Sequence, residues 1–141
     1  MDELEIKATR SLGTTLEVEK AVVGGLTSIN GLELSADTID VTTLNSEGGY
    51  REFIAGFKDS GEVAVSGYLL LDGGQSKIYD AFESGETVSC AIKFPKKINA
   101  NWEFKAIVVG FSTGADLEDP LSFEATLKVS GKPTLNKGLE G

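Results

Sequence analysis

The side chains of this chain best placed to do chemistry are carboxylates. Asp37 with Asp40, Glu17 with Glu19, and Asp116 with Glu118 and Asp119 are close enough in sequence for acid/base work or for holding calcium through oxygen atoms. None has the spacing of an EF-hand calcium loop, and none comes with a matching set of polar partners. Solvated or loop-stabilising carboxylates are the expectation. Histidine is absent, which removes the Ser-His-Asp and Cys-His arrangements and the commonest zinc ligand. The glycine pairs Gly24-Gly25, Gly48-Gly49 and Gly73-Gly74 lack the Gly-Lys-Ser/Thr ending of a phosphate loop and the GxGxxG spacing, so turn geometry accounts for them. No catalytic residue, metal ligand set or cofactor is expected, and the chain does not read as an enzyme.

The elements that would position any site follow from composition and periodicity. A chain of 141 residues buries roughly 68% of its extended surface on folding, enough for one core, so a single domain spanning 1–141 is expected. Seventeen glycines against three prolines indicate many tight turns. The 22 acidic and 13 basic residues give a formal charge of -9, a balance that disfavours binding to nucleic acid or to an anionic membrane. Lys96-Lys97 is the only adjacent basic pair and reads as a solvated turn after Pro95. Cys90 has no partner for a disulfide within the chain and alternates with Val88, Ile92 and Phe94, which places it in the core. The acidic start, Met1 to Glu5, lacks the regions of a signal peptide, and no apolar run approaches the roughly 20 residues of a membrane span. A protein made and kept in a cytoplasm, without signal-peptide export, is expected.

Leu121, Phe123, Ala125, Leu127 and Val129 alternate strictly with polar neighbours through Ser130, giving one apolar and one wet face. Val88 to Phe94 and Trp102 to Val108 repeat the pattern, as half-buried antiparallel strands do. Leu4 to Lys7, Leu16 to Val23, Leu26 to Leu34 and Val63 to Leu71 fit the same class, separated by glycine-rich turns. One helix is expected from about 75 to 83, where Ile78 and Phe82 are four residues apart and Gly85 stands at the stop. The predicted fold class is mainly β, an antiparallel sandwich or barrel with one short helix.

The segment 37–61 breaks the alternation. Ile39 and Val41 begin like a strand, Asn45 to Gly49 interrupts it, and Tyr50, Phe53, Ile54 and Phe57 then bring apolar surface with no obvious core position. It reads as a long loop of the kind that is often functional, either covering one end of its own fold or awaiting a partner.

The runs Asp37-Thr38-Ile39-Asp40-Val41-Thr42, Gly49-Tyr50-Arg51-Glu52-Phe53-Ile54 and Gly56-Phe57-Lys58-Asp59-Ser60-Gly61 resemble the corresponding segment of major tail tube proteins from long-tailed, siphovirus-type bacteriophages. The resemblance implies a structural virion protein that forms hexameric rings stacked into a hollow tail tube, assembled in the host bacterial cytoplasm. It implies that double-stranded DNA passes through without specific binding. The implied partners are further copies of the chain and the tail tip or initiator, tape measure and tail terminator proteins. It makes 37–61 an extended assembly loop, mobile until docked, with Asp37, Ile39, Asp40, Val41, Tyr50, Arg51, Phe53, Ile54 and Phe57 as subunit contacts. Under this reading the wet residues Ser122, Glu124, Thr126 and Lys128, with Glu62 and Ser66, are candidates to line the lumen, and 131–141 is a flexible C-terminal arm. Two other readings fit: an Hcp-like secretion tube protein, and a non-catalytic β-sandwich for adhesion or carbohydrate binding.

Overall fold

The computed structural model describes residues 9–137. The strand expected at Leu4 to Lys7 lies outside the described residues. Among these residues, nine strands and one α-helix follow in chain order. They are β1 (Thr15–Val18), β2 (Ala21–Val22), β3 (Leu26–Gly31), β4 (Ser35–Asp40), β5 (Phe53–Asp59), β6 (Glu62–Tyr68), α1 (Gly73–Ser84), β7 (Val88–Lys93), β8 (Asn101–Gly114) and β9 (Ser122–Asn136). Among the described residues, seven strands form one antiparallel sheet in the order β2-β1-β7-β8-β9-β6-β3, curled into a half-barrel, while β4 and β5 pair only with each other. The fold is mainly β with one short helix, as expected.

The sheet follows the alternation in the sequence. Phe123, Ala125, Leu127 and Val129 of β9 face inward with Phe104, Ala106 and Val108 of β8, Cys90 and Ile92 of β7, and Val63 and Val65 of β6. A one-residue slip of any of these strands would move its whole apolar set into water, so burial fixes the register.

Helix α1 packs against β8, β2 and β1. It starts at Gly73 rather than 75 because Asp72 caps it, its Oδ1 accepting from the Gln75 N–H at 2.9 Å. It ends at Gly85, whose φ of 73° is the left-handed stop a glycine adopts freely. Its buried stripe is Gly74, Gln75, Ile78 and Ala81, whereas Phe82 is partly exposed. Gly74 lies against the backbone of Val22 and Val23, where any Cβ would collide. Gln75 is fully buried and makes four bonds: its Oε1 accepts from the N–H groups of Leu70 and Leu71, and its Nε2 donates to the carbonyls of Gly24 and Tyr68. Asp72 Oδ2 also accepts from the Gly24 N–H at 2.9 Å. Tyr79 meets Phe111 edge-on at 5.7 Å, and Phe111 stacks on Phe123 at 5.9 Å, linking the helix to the sheet.

Three expectations need correction. The stretch Leu16 to Val23 is two strands, because Glu19 and Lys20 both take positive φ and turn the chain back in a tight hairpin. Residues 131–136, expected in a flexible arm, continue β9: Thr134, Leu135 and Asn136 pair with Glu103, Trp102 and Asn101. Pro133 falls in the irregularity between the Lys105–Ser130 and Glu103–Thr134 pairs, where its missing N–H breaks no ladder bond. Residues 138–141 of that arm lie outside the described residues. The third correction concerns 37–61. Instead of a loop it is mostly β-hairpin, with Ile39 opposite Ile54 and Asp40 opposite Phe53. Its alternation is illegible in sequence because both faces carry apolar residues and a bulge lies between the Ala36 and Thr38 pairs.

Candidate assembly surfaces

The β4–β5 hairpin projects from the end of the sheet as a two-stranded ribbon with both faces in water. All of β4 and nearly all of β5 are exposed. Ile39 is 48% exposed, Ile54 54%, Phe53 54% and Phe57 89%. Register puts Ile39 and Ile54 on one face with Asp37. At the bulge, Gly56 and Phe57 together oppose Asp37, which returns Phe57 to that face. Phe53 and Asp40 take the other face. The nine expected contact residues are therefore gathered in one ribbon but divided between its two sides, with Tyr50 near the tip.

The tip holds its shape through short polar bonds. Asp40 Oδ1 accepts from the Thr42 N–H at 2.9 Å, and Arg51 pairs with Asp40 Oδ2 at 2.9 Å. Thr42 Oγ1 accepts from the Glu52 N–H at 2.8 Å, and the Val41 N–H donates to the Glu52 carbonyl at 2.9 Å. A 3-10 turn at Glu47–Gly49 closes the end. Hydrogen bonds from Thr42, and after them from Arg51, hold the Asp40 carboxyl below the ordinary carboxylate range.

The second surface is the polar face of the sheet. Pairing sets Glu62 opposite Lys128, Ser66 opposite Glu124, Ala64 opposite Thr126 and Tyr68 opposite Ser122, so all six proposed lumen residues share one patch on β6 and β9. The same face continues over β8, β7 and β1 through Glu103, Lys105, Lys93 and Glu17, the last two paired at 3.0 Å. The alternation around Trp102 to Val108 already places Glu103 and Lys105 on a wet face in the sequence. Four glutamates and three lysines nearly cancel across the face. The acidic surplus of the chain therefore lies elsewhere, much of it on the hairpin and in the Asp116 to Asp119 loop.

A third surface is a groove of about 630 Å³ beside β3, an edge strand of the sheet. Its walls are Leu26 to Asn30 of β3, residues 9–14, and the turn after β7 with Phe94, Pro95 and Ile98. Nothing in the sequence marks it, because its walls come from three separate segments.

Of the chemically capable carboxylates, Asp40, Glu17 and Glu19 have structural partners. Asp37 and Asp40 fall on opposite faces of the hairpin. Glu17 pairs with Lys93, and Glu19 Oε2 accepts from the Ser89 N–H at 2.8 Å. Burial, and then the charge of Glu19, push the Cys90 thiol up to about 12, which keeps it protonated at neutral pH. Among the described residues no three acidic or cysteine side chains gather as a metal site, and no helix is long and apolar enough to cross a membrane.

A curled antiparallel sheet with one packed helix, a detached ribbon with exposed apolar residues and, among the described residues, an open sheet edge suit contact with other chains. A sequence model described as phage tail tube protein matches residues 11–135, and the chain belongs to that family, whose role is structural and tube-forming. No curated protein matches the chain by sequence. Among solved structures, the tail of an empty gene transfer agent particle, refined with C6 symmetry, is 18% identical, with a TM-score of 0.78 over 92% of this chain and 99% of that one. The sheath/tube terminator structure of an extracellular contractile injection system, PVC, gives 15% identity and a TM-score of 0.73, covering 93% and 98%. The tail tube of phage SPP1 gives 14% and 0.63, covering 88% and 75%. At these identities the likeness is one of fold.

Proposed function

We propose that six copies of this chain close into a ring and that the rings stack into the tube of a virion tail, through which double-stranded DNA passes into the host. The observation that carries this reading is the ribbon. A lone two-stranded hairpin is marginal in water, and this one places Ile39, Ile54, Phe53 and Phe57 in solvent on both sides. Docking on a neighbouring subunit removes that apolar surface from water at about 25 cal/mol per Å². Ring closure satisfies one symmetry, and head-to-tail stacking leaves the polymer open-ended.

The polar face of the sheet lines the lumen in this proposal. Its near-balanced charge offers phosphates no cluster of cations to hold, which suits sliding without specific binding. Net charge is a poorer guide here than position, since the acidic surplus lies away from this face. The tail tip or initiator, tape measure and terminator proteins are the further partners, assembly takes place in the host cytoplasm, and catalysis has no part in the role.

Electron microscopy of the concentrated purified protein is the direct test. Hollow tubes with six-fold end views are expected. Particles that stay monomeric at every concentration and salt would sink the proposal.

A further inference from the structure

Asn30-Gly31 is the one Asn-Gly dipeptide of the chain. We infer that it is a site of spontaneous deamidation, where Asn30 loses its side-chain amide in the folded subunit and leaves a carboxylate on the polar face of the sheet.

The reaction needs a backbone nitrogen free to attack, an amide free to swing onto it and no bulk on the following residue. In an antiparallel ladder, opposed residues alternate between pairs that exchange both N–H bonds and pairs that exchange none. The Leu32 N–H donates to the Glu62 carbonyl at 3.2 Å. Counting back from there, Gly31 with Val63 is an unbonded pair and Asn30 with Ala64 a bonded one. The Gly31 N–H is therefore turned to the outer side of β3, where among the described residues no strand pairs. Position 31 has to be glycine: its φ is 152°, and a Cβ there would collide with the Glu62 carbonyl and the Val63 backbone. Packing thus dictates the labile half of the dipeptide. Asn30 itself is exposed, and among the described residues its side chain makes one hydrogen bond, from Nδ2 to the Ser28 hydroxyl at 2.9 Å.

Comparable dipeptides are held shut. Asp72-Gly73 has both carboxylate oxygens in bonds, with the N–H groups of Gly24 and Gln75. At Asn45-Ser46 the attacking nitrogen is engaged, the Ser46 N–H donating to the Thr43 carbonyl at 3.1 Å. Asn99, Asn101 and Asn136 are followed by Ala100, Trp102 and Lys137, whose side chains obstruct the attack.

Water is the only co-reactant. The Gly31 nitrogen bonds to Asn30 Cγ, the Cγ–Nδ2 bond breaks, and ammonia leaves with the proton that the Gly31 nitrogen gives up. Water then opens the cyclic imide at either carbonyl, yielding aspartate or, with the backbone rerouted through the side chain, isoaspartate. Extended backbone holds the reacting atoms apart, so the ring closes when the end of β3 opens from β6. Gly31 is the last residue of that strand, and such local opening costs less than global unfolding.

Asn30 stands beside Ala64, and Ala64 beside Thr126, on the polar face. Four glutamates and three lysines nearly cancel there, so each conversion tips the face toward net acid. That this face lines a lumen rests on the tube reading, whereas the amide chemistry does not.

The test is peptide mapping by mass spectrometry of the purified full-length protein, held at neutral and at mildly alkaline pH, with isoaspartate read by enzymatic methyl transfer. Conversion at Asn30 ahead of every other asparagine is expected, faster at the higher pH, with isoaspartate among the products and an acidic shift on ion exchange. Asn30→Gln abolishes that conversion and leaves urea unfolding unchanged. Because the opening is local, Leu127→Ala is expected to convert at the rate of the unaltered chain. A rate that climbs with the unfolded fraction in Leu127→Ala assigns the reaction to the unfolded chain and overturns the inference. An Asn30 that stays intact in the folded protein for as long as it takes to convert in urea overturns it as well, and so does earlier conversion at Asn45. Tube formation is read separately by electron microscopy, so either result leaves the tube reading where it stands.

Discussion

The curled sheet and the β4–β5 ribbon are both antiparallel β-structure, yet they keep their register by different means. In β9 every second residue from Phe123 to Val129 is buried, so water enforces the pairing. In the ribbon hardly any side chain is buried, and order rests on ladder bonds, the Asp40–Arg51 pair and the Thr42 bonds. The sheet specifies the subunit, whereas the ribbon is suited to specifying which subunits meet. Substitutions in the two regions should therefore separate folding from assembly.

The largest effect on folding is expected in the sheet. Leu127→Ala, at a site with no exposure, should lower unfolding free energy by about 2–5 kcal/mol in urea titrations. Close behind, Gln75→Leu leaves the polar groups of Gly24, Tyr68, Leu70 and Leu71 without their partner. A loss of about 3 kcal/mol should appear by the same measurement. Asp72→Ala removes both the helix cap and the bond to Gly24, and a drop of about 1–2 kcal/mol is expected in thermal or urea unfolding.

In the ribbon the order reverses. Phe57→Ser should change subunit stability by less than about 0.5 kcal/mol while preventing tubes in electron micrographs. A large loss of stability would show that Phe57 packs on its own subunit and would erase the contrast between the regions. The smallest effect concerns acid. The pKa of Asp40 is lowered in the folded chain, so its contribution is present above the ordinary carboxylate range and fades as pH falls through the folded value. Protection of the Thr42 and Glu52 amides, taken relative to their intrinsic exchange at each pH, should fall in acid before protection in β9 does, and Asp40→Asn should remove that pH dependence.

Much of the sheet was legible because one buried face imposes a period of two on Leu121 to Ser130, Val88 to Phe94 and Trp102 to Val108. The helix was legible from Ile78 and the stop at Gly85. Its start was not, since two glycines obscure a cap made by Asp72. The ribbon reads as a loop in sequence for a physical reason: without a buried side there is no polar face to alternate with, and the bulge at Gly56-Phe57 resets the phase. Residues 131–136 read as an arm because Gly131 and Pro133 look like an ending in sequence, although the irregular pairing absorbs both. The residues expected on one wet face of β6 and β9 were legible from parity alone. The groove was not, because only the fold brings its three walls together.

The position of β9 has a consequence for the timing of synthesis. It lies between β8 and β6, so the two flanks of the sheet stay unjoined until β9 itself appears. The ribbon, by contrast, pairs neighbours in sequence, and hairpins of this kind close in about 1–10 μs. At roughly 5–20 residues per second, translation from Asp59 to Ser122 lasts several seconds. A nascent subunit can thus sample its ribbon well before its sheet is whole, although the ribbon alone is only marginally stable. Ring building would be held back until β9 has been made and joins the two flanks.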